Sequence, residues 1–471
     1  MASGRNTSLR LLGVVLLGAA LYGGYWLWEI LLIGTAYEAK VLCSSVFVSR
    51  RDPQQVLRQE LEGIFEIVDS EVDRDNLAVT ARLPGMPEQR AVYRAGLGCT
   101  LLAGVPEAEL RRQASGLSVG AGEGGRVGEV ADPSSGEPVS SGAPPPASEA
   151  LRRALAGAFA EPDPSRPVRT RALVIQHHGR VVAERYAPGF SQETPLAGWS
   201  MTKSVTSALV GILVSSGKLA LDEPAPVPEW QSPGDPRAAI TIDHLLRMSS
   251  GLDFDDRSGA ALSDVNRMLL RSPDAAGYAV EKPLQDAPGS AWYYSSGTTN
   301  ILSRIIRARI GGTDADYWAF ARRALFDRIG MPSAVMEPDA SGTFVGSSFM
   351  YATARDWARF GQLYLQDGVW NGERILPEGW VAYTRRPAPA APHGRYGAHF
   401  WLNGGEAVPV AERPFPSLPA DLHYAAGYEG QYVIVIPSRE LVIVRLGQTA
   451  DRQAWRMDDF VAAVLAAIDG S

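Results

Sequence analysis

A chain of 471 residues with 45% hydrophobic, 21% charged and 8% aromatic residues is an ordinary globular mixture. It excludes a collagen, a coiled coil, a disulfide miniprotein and a chain disordered throughout. The formal net charge is −7 and no run of Lys or Arg stands out, so the chain carries no footprint for nucleic acid. Only four of the 45 basic residues are lysines, Lys40, Lys203, Lys218 and Lys282, so chemistry that needs a lysine has a short candidate list.

Leu11 to Trp28 is 18 residues without a charge, and Ile30 to Gly34 continues the run after Glu29. A helix of that length crosses a hydrocarbon core, and Tyr22, Tyr25, Trp26, Trp28 and Tyr37 suit an interfacial belt. Residues 1–37 therefore read as a retained transmembrane anchor. The other reading is a cleaved secretory signal, with Gly34-Thr35-Ala36 as its small-x-small site. Arg5 and Arg10 before the span nearly balance Lys40, Arg50 and Arg51 after it, so charge alone does not set the orientation. Cys43 and Cys99 can form one disulfide, which favours an oxidising compartment, or stand as two buried thiols. Two cysteines alone cannot build a structural zinc site.

Residues 38–113 form a small strand-rich region, with strand composition at Val46–Val48, Phe65–Val68, Leu77–Ala81 and Ala91–Tyr93. Residues 114–149 are rich in Gly, Ser, Ala and Pro and read as a linker or disordered loop. Gly116-Leu117-Ser118-Val119-Gly120 and Gly120-Ala121-Gly122-Glu123-Gly124-Gly125 there match a nucleophile-elbow and a dinucleotide string. Neither has the strand before it and helix after it that the chemistry needs. Residues 150–471 read as one α/β domain. A helix runs over Leu151–Ala160, and Ala172–Gln176 and Arg180–Glu184 make a hairpin about His178-Gly179. A mostly helical middle follows. Strands at Gln431–Ile436 and Leu441–Arg445 and a helix over Trp455–Ile468 close the chain. Terminal strands around a helical insert indicate one antiparallel sheet with a helical lobe.

The chemistry concentrates in two places. Ser200-Met201-Thr202-Lys203 opens a helical run to about Ser216, where positions i and i+3 share a face and the hydroxyl and amine can meet. Serine is a weak nucleophile without a base, and lysine serves as one when burial or positive potential lowers its pKa; a helix start supplies such potential. The second copy, Ser215-Ser216-Gly217-Lys218, falls where Gly217 ends the helix, so its pair shares no face. Tyr294, in Tyr293-Tyr294-Ser295-Ser296, could be partly ionised beside a lysine and shuttle protons. His177 and His178 are adjacent and on a strand point to opposite faces. They and His244, His393, His399 and His423 show no metal-ligand spacing, so no metal is expected.

These strings resemble the penicillin-recognising serine hydrolases: class C β-lactamases, D,D-peptidases, family VIII esterases and, nearest, the 6-aminohexanoate-dimer hydrolase group. The resemblance covers about residues 150–468. It implies the β-lactamase/transpeptidase-like fold and acyl-enzyme chemistry without a cofactor. Ser200 maps to the nucleophile, Lys203 to its base and Tyr294 to the catalytic tyrosine. Leu245-Leu246-Arg247-Met248-Ser249-Ser250-Gly251-Leu252 looks like the family's segment ending Ser-Gly-Leu. Gly427-Tyr428-Glu429-Gly430-Gln431 stands where the third motif belongs. Ser296 replaces the lactamase Asn, and Tyr428-Glu429-Gly430 replaces Lys-Thr-Gly, removing a positive charge and adding a negative one. The resemblance thus implies oxyanion and substrate contacts from Ser200, Ser296, Tyr428, Gly430 and Gln431. It also implies a neutral ester or amide substrate, and an envelope location with the catalytic domain on the periplasmic side of the inner membrane. The rival readings are a D,D-peptidase or β-lactamase on peptidoglycan-like substrates, and a catalytically silent binding protein.

Overall fold

The computed structural model describes residues 3–61, 67–114 and 148–470. Helix α1 runs unbroken over Ser3–Phe47, about 68 Å at 1.5 Å per residue. It does not stop at residue 37. Leu21, Tyr22, Tyr25, Leu27 and Trp28 are exposed, whereas Leu32, Ala36, Ala39, Leu42, Cys43 and Val46 are buried. The first group is solvated by whatever surrounds the protein; the second belongs to its core. Helix α2 (Pro53–Glu60) follows, then an antiparallel meander of β1 (Asp69–Asp73), β2 (Ala78–Arg82), β3 (Gln89–Arg94) and β4 (Gly98–Leu101), and helix α3 (Glu107–Ala114). The buried half of α1 packs on this sheet, and Cys43 is bonded to Cys99, Cα atoms 6.0 Å apart.

The strand expected at Val46–Val48 is instead the end of α1, at Val46 and Phe47, and the turn that follows at Val48. Its β-branched and aromatic composition yields to the helical stripe of Ala36, Ala39 and Cys43, which has a sheet to bury against. Phe65 and Glu66 of the strand proposed at Phe65–Val68, both glycine-rich strings of the linker, and residues 115–147 lie outside the described residues.

The rest of the chain is built on a six-stranded antiparallel sheet. Helix α4 (Glu149–Ala158) leads into β5 (Thr170–His177) and β6 (Arg180–Tyr186), the hairpin read from the sequence. His178 sits in its turn at φ 49°, so the two imidazoles approach to 4.0 Å rather than diverge. After the helical lobe come β7 (Trp401–Leu402), β8 (His423–Gly427), β9 (Gln431–Ile436) and β10 (Leu441–Gly447), giving the order β7-β8-β9-β10-β5-β6. Register pairs Val444 with Val174 and Ile443 with Ile175. Alternation then sends Leu173, Ile175, Ile434 and Ile443 to a face covered by α4 and the last helix, Met457–Asp469. Val174, Val433, Val442 and Val444 go to the other face, among Trp357 and Phe360 of Ala354–Leu365. A sheet covered on both faces needs such near-continuous apolar strands. The lobe holds α5 (Thr202–Ser215), α6 (Asp264–Leu270) and α7 (Ser296–Ile310). Helix α5 is buried almost all round, which takes Lys203 into the core.

Candidate active site

Ser200 precedes α5 rather than opening it. Trp199–Met201 is a 3-10 turn, and Trp199 adopts φ 48°. A bulky side chain in the left-handed region is strained, and neighbours hold it. The Tyr37 ring of α1 stacks on Trp199 with centroids 6.2 Å apart, and Phe349 and Tyr428 pack against it at 6.1 and 5.7 Å. The helix that begins as an apolar N-terminal run thus buttresses the turn that carries the serine.

Lys203 is buried and its three N–H donors are all used. Nζ donates to Ser200 Oγ, Ser296 Oγ and the Ser347 carbonyl, each at 3.0 Å. Burial pushes its pKa down to about 8, while Asp256 pulls the other way. The expected contribution of a helix start is secondary; desolvation disfavours the ammonium first. The second Ser-x-x-Lys copy does diverge: Gly217 is left-handed at φ 66° and Lys218 is exposed.

Tyr294 lines the same cavity as Ser200, whose hydroxyl pulls the phenol's pKa down slightly, and the Lys203 amine lies 4.8 Å from the centre of its ring. The Leu245–Leu252 segment sets its place: Tyr293 N–H donates to the Met248 carbonyl at 3.0 Å. Gly251 closes that turn at φ 77°, where a Cβ would meet the Asp286 carbonyl oxygen at 2.1 Å. Burial, then the Asp256 charge, push the phenol well above its ordinary pKa. The partly ionised tyrosine expected from the sequence is therefore replaced by a protonated one.

Asp256 was not singled out in the sequence. It accepts from the Ser296 backbone N–H, and Ser296 Oγ lies 3.3 Å from Oδ1. Ser296 therefore links the carboxylate to Lys203. Burial raises the Asp256 pKa and Lys203 opposes that rise. The only signal available was the acidic run Asp253, Asp255, Asp256 after the Ser-Gly-Leu segment.

Ser200, Tyr294, Ser296 and Asp256 line a cavity of about 1030 Å³, as do Tyr428, Glu429 and Gly430. Two residues assigned to the oxyanion site have other partners. The Gln431 side chain is turned into the sheet, donating to the Gly447 carbonyl at 2.7 Å and accepting from its N–H at 2.9 Å. The Gly430 N–H already donates to the Gly427 carbonyl at 3.3 Å. The strand end beside the serine is that of β8, where a Cβ on Gly427 would sit 2.2 Å from the Gly198 carbonyl oxygen. Nor is Glu429 a bare negative charge. Burial raises its carboxyl to about 7, and Arg171 and Arg169 counter it.

The Beta-lactamase family model matches residues 155–467. A 6-aminohexanoate-dimer hydrolase of Paenarthrobacter ureafaciens is 25% identical over 309 residues, 60% of this chain and 73% of its own length. A candidate 6-aminohexanoate-dimer hydrolase from Bacillus anthracis has a similar structure, with TM-score 0.52 and 22% identity over 68% of this chain and 80% of that one. A penicillin-binding-protein homologue from Caulobacter crescentus gives TM-score 0.52 and 18% identity, covering 69% and 99%. At those identities the two structures share the fold: an antiparallel sheet with a helical lobe, of the β-lactamase/transpeptidase type.

Proposed function

The chain belongs to the beta-lactamase family and so is a hydrolase of that serine-dependent group, and on that footing we propose that it is a membrane-anchored esterase or amidase acting through an acyl-enzyme on Ser200. The observation that carries the reading is the buried Lys203 amine, 3.0 Å from Ser200 Oγ, with a pKa lowered to about 8. A lysine so placed is a base poised near neutral pH.

Ser200 Oγ attacks the carbonyl carbon and its proton passes to Lys203 Nζ. The Ser200 N–H and the end of β8 face the developing oxyanion, where fixed donors act most strongly. As the bond to the leaving oxygen or nitrogen breaks, the Tyr294 hydroxyl donates its proton there, and Lys203 returns a proton to the phenolate. Two groups with pKa values pushed apart in this way suit one base and one acid. Water, deprotonated by Lys203, then attacks the acyl carbon; the ester bond to Ser200 breaks and Lys203 returns that proton to Ser200 Oγ. Lys203 and Tyr294 are the protein's own acid–base pair, and the reaction needs no cofactor.

The exposed Leu21–Trp28 face supports a retained anchor, since such a row of large apolar side chains is costly in water. The small-x-small string supports cleavage less well, because Thr35 and Ala36 are buried in the folded body. A Cys43–Cys99 bridge favours a catalytic domain outside the cytoplasm, on the periplasmic face of the inner membrane. With Tyr428 and Glu429 in place of a cation, neutral substrates are favoured over anionic ones. Neutral p-nitrophenyl esters should exceed nitrocefin in kcat/KM by about two orders of magnitude, roughly 2.7 kcal/mol. Equal turnover of the two would remove the substrate argument, and turnover surviving Ser200→Ala would remove the mechanism.

A further inference from the structure

The cavity above Ser200 has a wall that a β-lactamase-like domain does not itself supply. Ile30, Leu31 and Ile33 of α1 line it together with Val265, Leu269 and Leu270 at α6. These six apolar side chains, the arm of the cavity, border the stretch where α1 leaves the folded body. Trp28 is exposed, while Ile30 and Leu31 already line the cavity. That change takes no more than about one helical turn, roughly 5 Å.

The junction is marked from the other side too. The Arg267 guanidinium of α6 lies 5.2 Å over the Trp26 ring, and Arg271, just past α6, reaches toward Glu29 at 3.9 Å. Arginine and tryptophan together characterise the headgroup level of a bilayer. An opening between α1 and α6 would therefore face lipid headgroups on the same side of the bilayer as the catalytic serine. The volume of about 1030 Å³ lies at the upper end of sites that hold drug-sized molecules, about 300–1,000 Å³. A short ester leaves most of that apolar wall unused.

Resting on the acyl-enzyme reading above, we infer that the substrate is a long-chain amphiphile, an acyl ester or amide of the membrane itself, whose hydrocarbon chain enters the α1–α6 arm while its carbonyl reaches Ser200. The anchor then does two jobs. It holds the enzyme at its substrate's surface, and its emerging turn forms part of the binding site.

The test uses the full chain in lipid nanodiscs and p-nitrophenyl esters from butanoyl to hexadecanoyl. Each buried methylene contributes up to about fourfold, so dodecanoyl should exceed butanoyl in kcat/KM by at least about tenfold. Leu31→Trp and Leu269→Trp should each collapse that ratio toward one by filling the arm. Should either variant fail to fold, Ser200 labelling of the wild type by long- and short-chain alkyl fluorophosphonates gives the same comparison, with the long chain expected to react about tenfold faster. A flat or falling chain-length profile would overturn the inference, even with butanoyl turnover intact and Ser200-dependent. Loss of Ser200 dependence would instead sink the reading beneath it. Long-chain ester embedded in the enzyme's own nanodisc should turn over faster than the same ester in separate vesicles. Equal rates would refute delivery from the enzyme's membrane.

Discussion

Replacing Asp256 by Asn should move the pH–rate profile to lower pH. Lys203 and Asp256 meet through the Ser296 hydroxyl, 3.0 Å from the amine and 3.3 Å from the carboxylate, which places the two charges within about 6 Å. At an effective dielectric near 20 that attraction is about 3 kcal/mol, or about two pKa units as an upper figure, since water reaches the cavity. Asp256 holds the proton on Lys203, and its removal leaves desolvation unopposed. Lys203 works as a base only when neutral, so kcat/KM of the wild type should rise with pH and level off above about 8. Asn keeps the size and can still accept from the Ser296 N–H. In Asp256→Asn the rising limb should fall by about one to two pH units, so activity at pH 6 relative to the plateau increases by about tenfold or more. The assay is kcat/KM for p-nitrophenyl butyrate from pH 5 to 10. A limb that stays in place, or moves upward, would show that Asp256 does not act on Lys203.

Lys203→Ala should lower kcat/KM by about 10³-fold or more while circular dichroism stays native, because serine and base act as one unit. Tyr294→Phe should lose most turnover with little change in binding of a substrate analogue; near-normal kcat would take the phenol out of the proton path. Cys43→Ser with Cys99→Ser opens a loop of 56 residues and should lower stability by up to about 4 kcal/mol in denaturant titration. Glu337→Ala should cost about 3–5 kcal/mol, because Glu337 is fully buried and pairs with Lys40, Ser44 Oγ and the Cys99 N–H. An unchanged melting curve would show that the small sheet is not locked to the catalytic domain there.

The parts of the site written as short strings were legible in the sequence. Ser200 and Lys203 are three residues apart, so the turn into α5 brings them together locally. The β5–β6 hairpin and the β9–β10 pair were legible too, because strand composition is bounded by turn residues. What was not legible depends on tertiary partners. Trp199 keeps its positive φ because Tyr37, Phe349 and Tyr428 surround it, and those lie far away in the chain. Asp256 reaches Lys203 by way of a loop whose path no periodicity describes. The Gln431 side chain is taken up by the Gly447 backbone, a partner that only the folded sheet supplies. Helix α1 outran its hydrophobic span since Lys40 and Ser44, polar by sequence, find a buried carboxylate at Glu337. That contact joins residues almost three hundred positions apart.

The central claim is that Ser200 becomes acylated with Lys203 as its base, and trapping the acyl-enzyme tests it most directly. The full-length protein, quenched in acid during turnover of p-nitrophenyl butyrate, is digested and its peptides are weighed. The account predicts one butanoyl group on the peptide containing Ser200 in the wild type, its loss in Ser200→Ala, and greatly slowed appearance in Lys203→Ala. Sustained turnover with no acyl group on Ser200, or an acyl group carried by another residue, would contradict it.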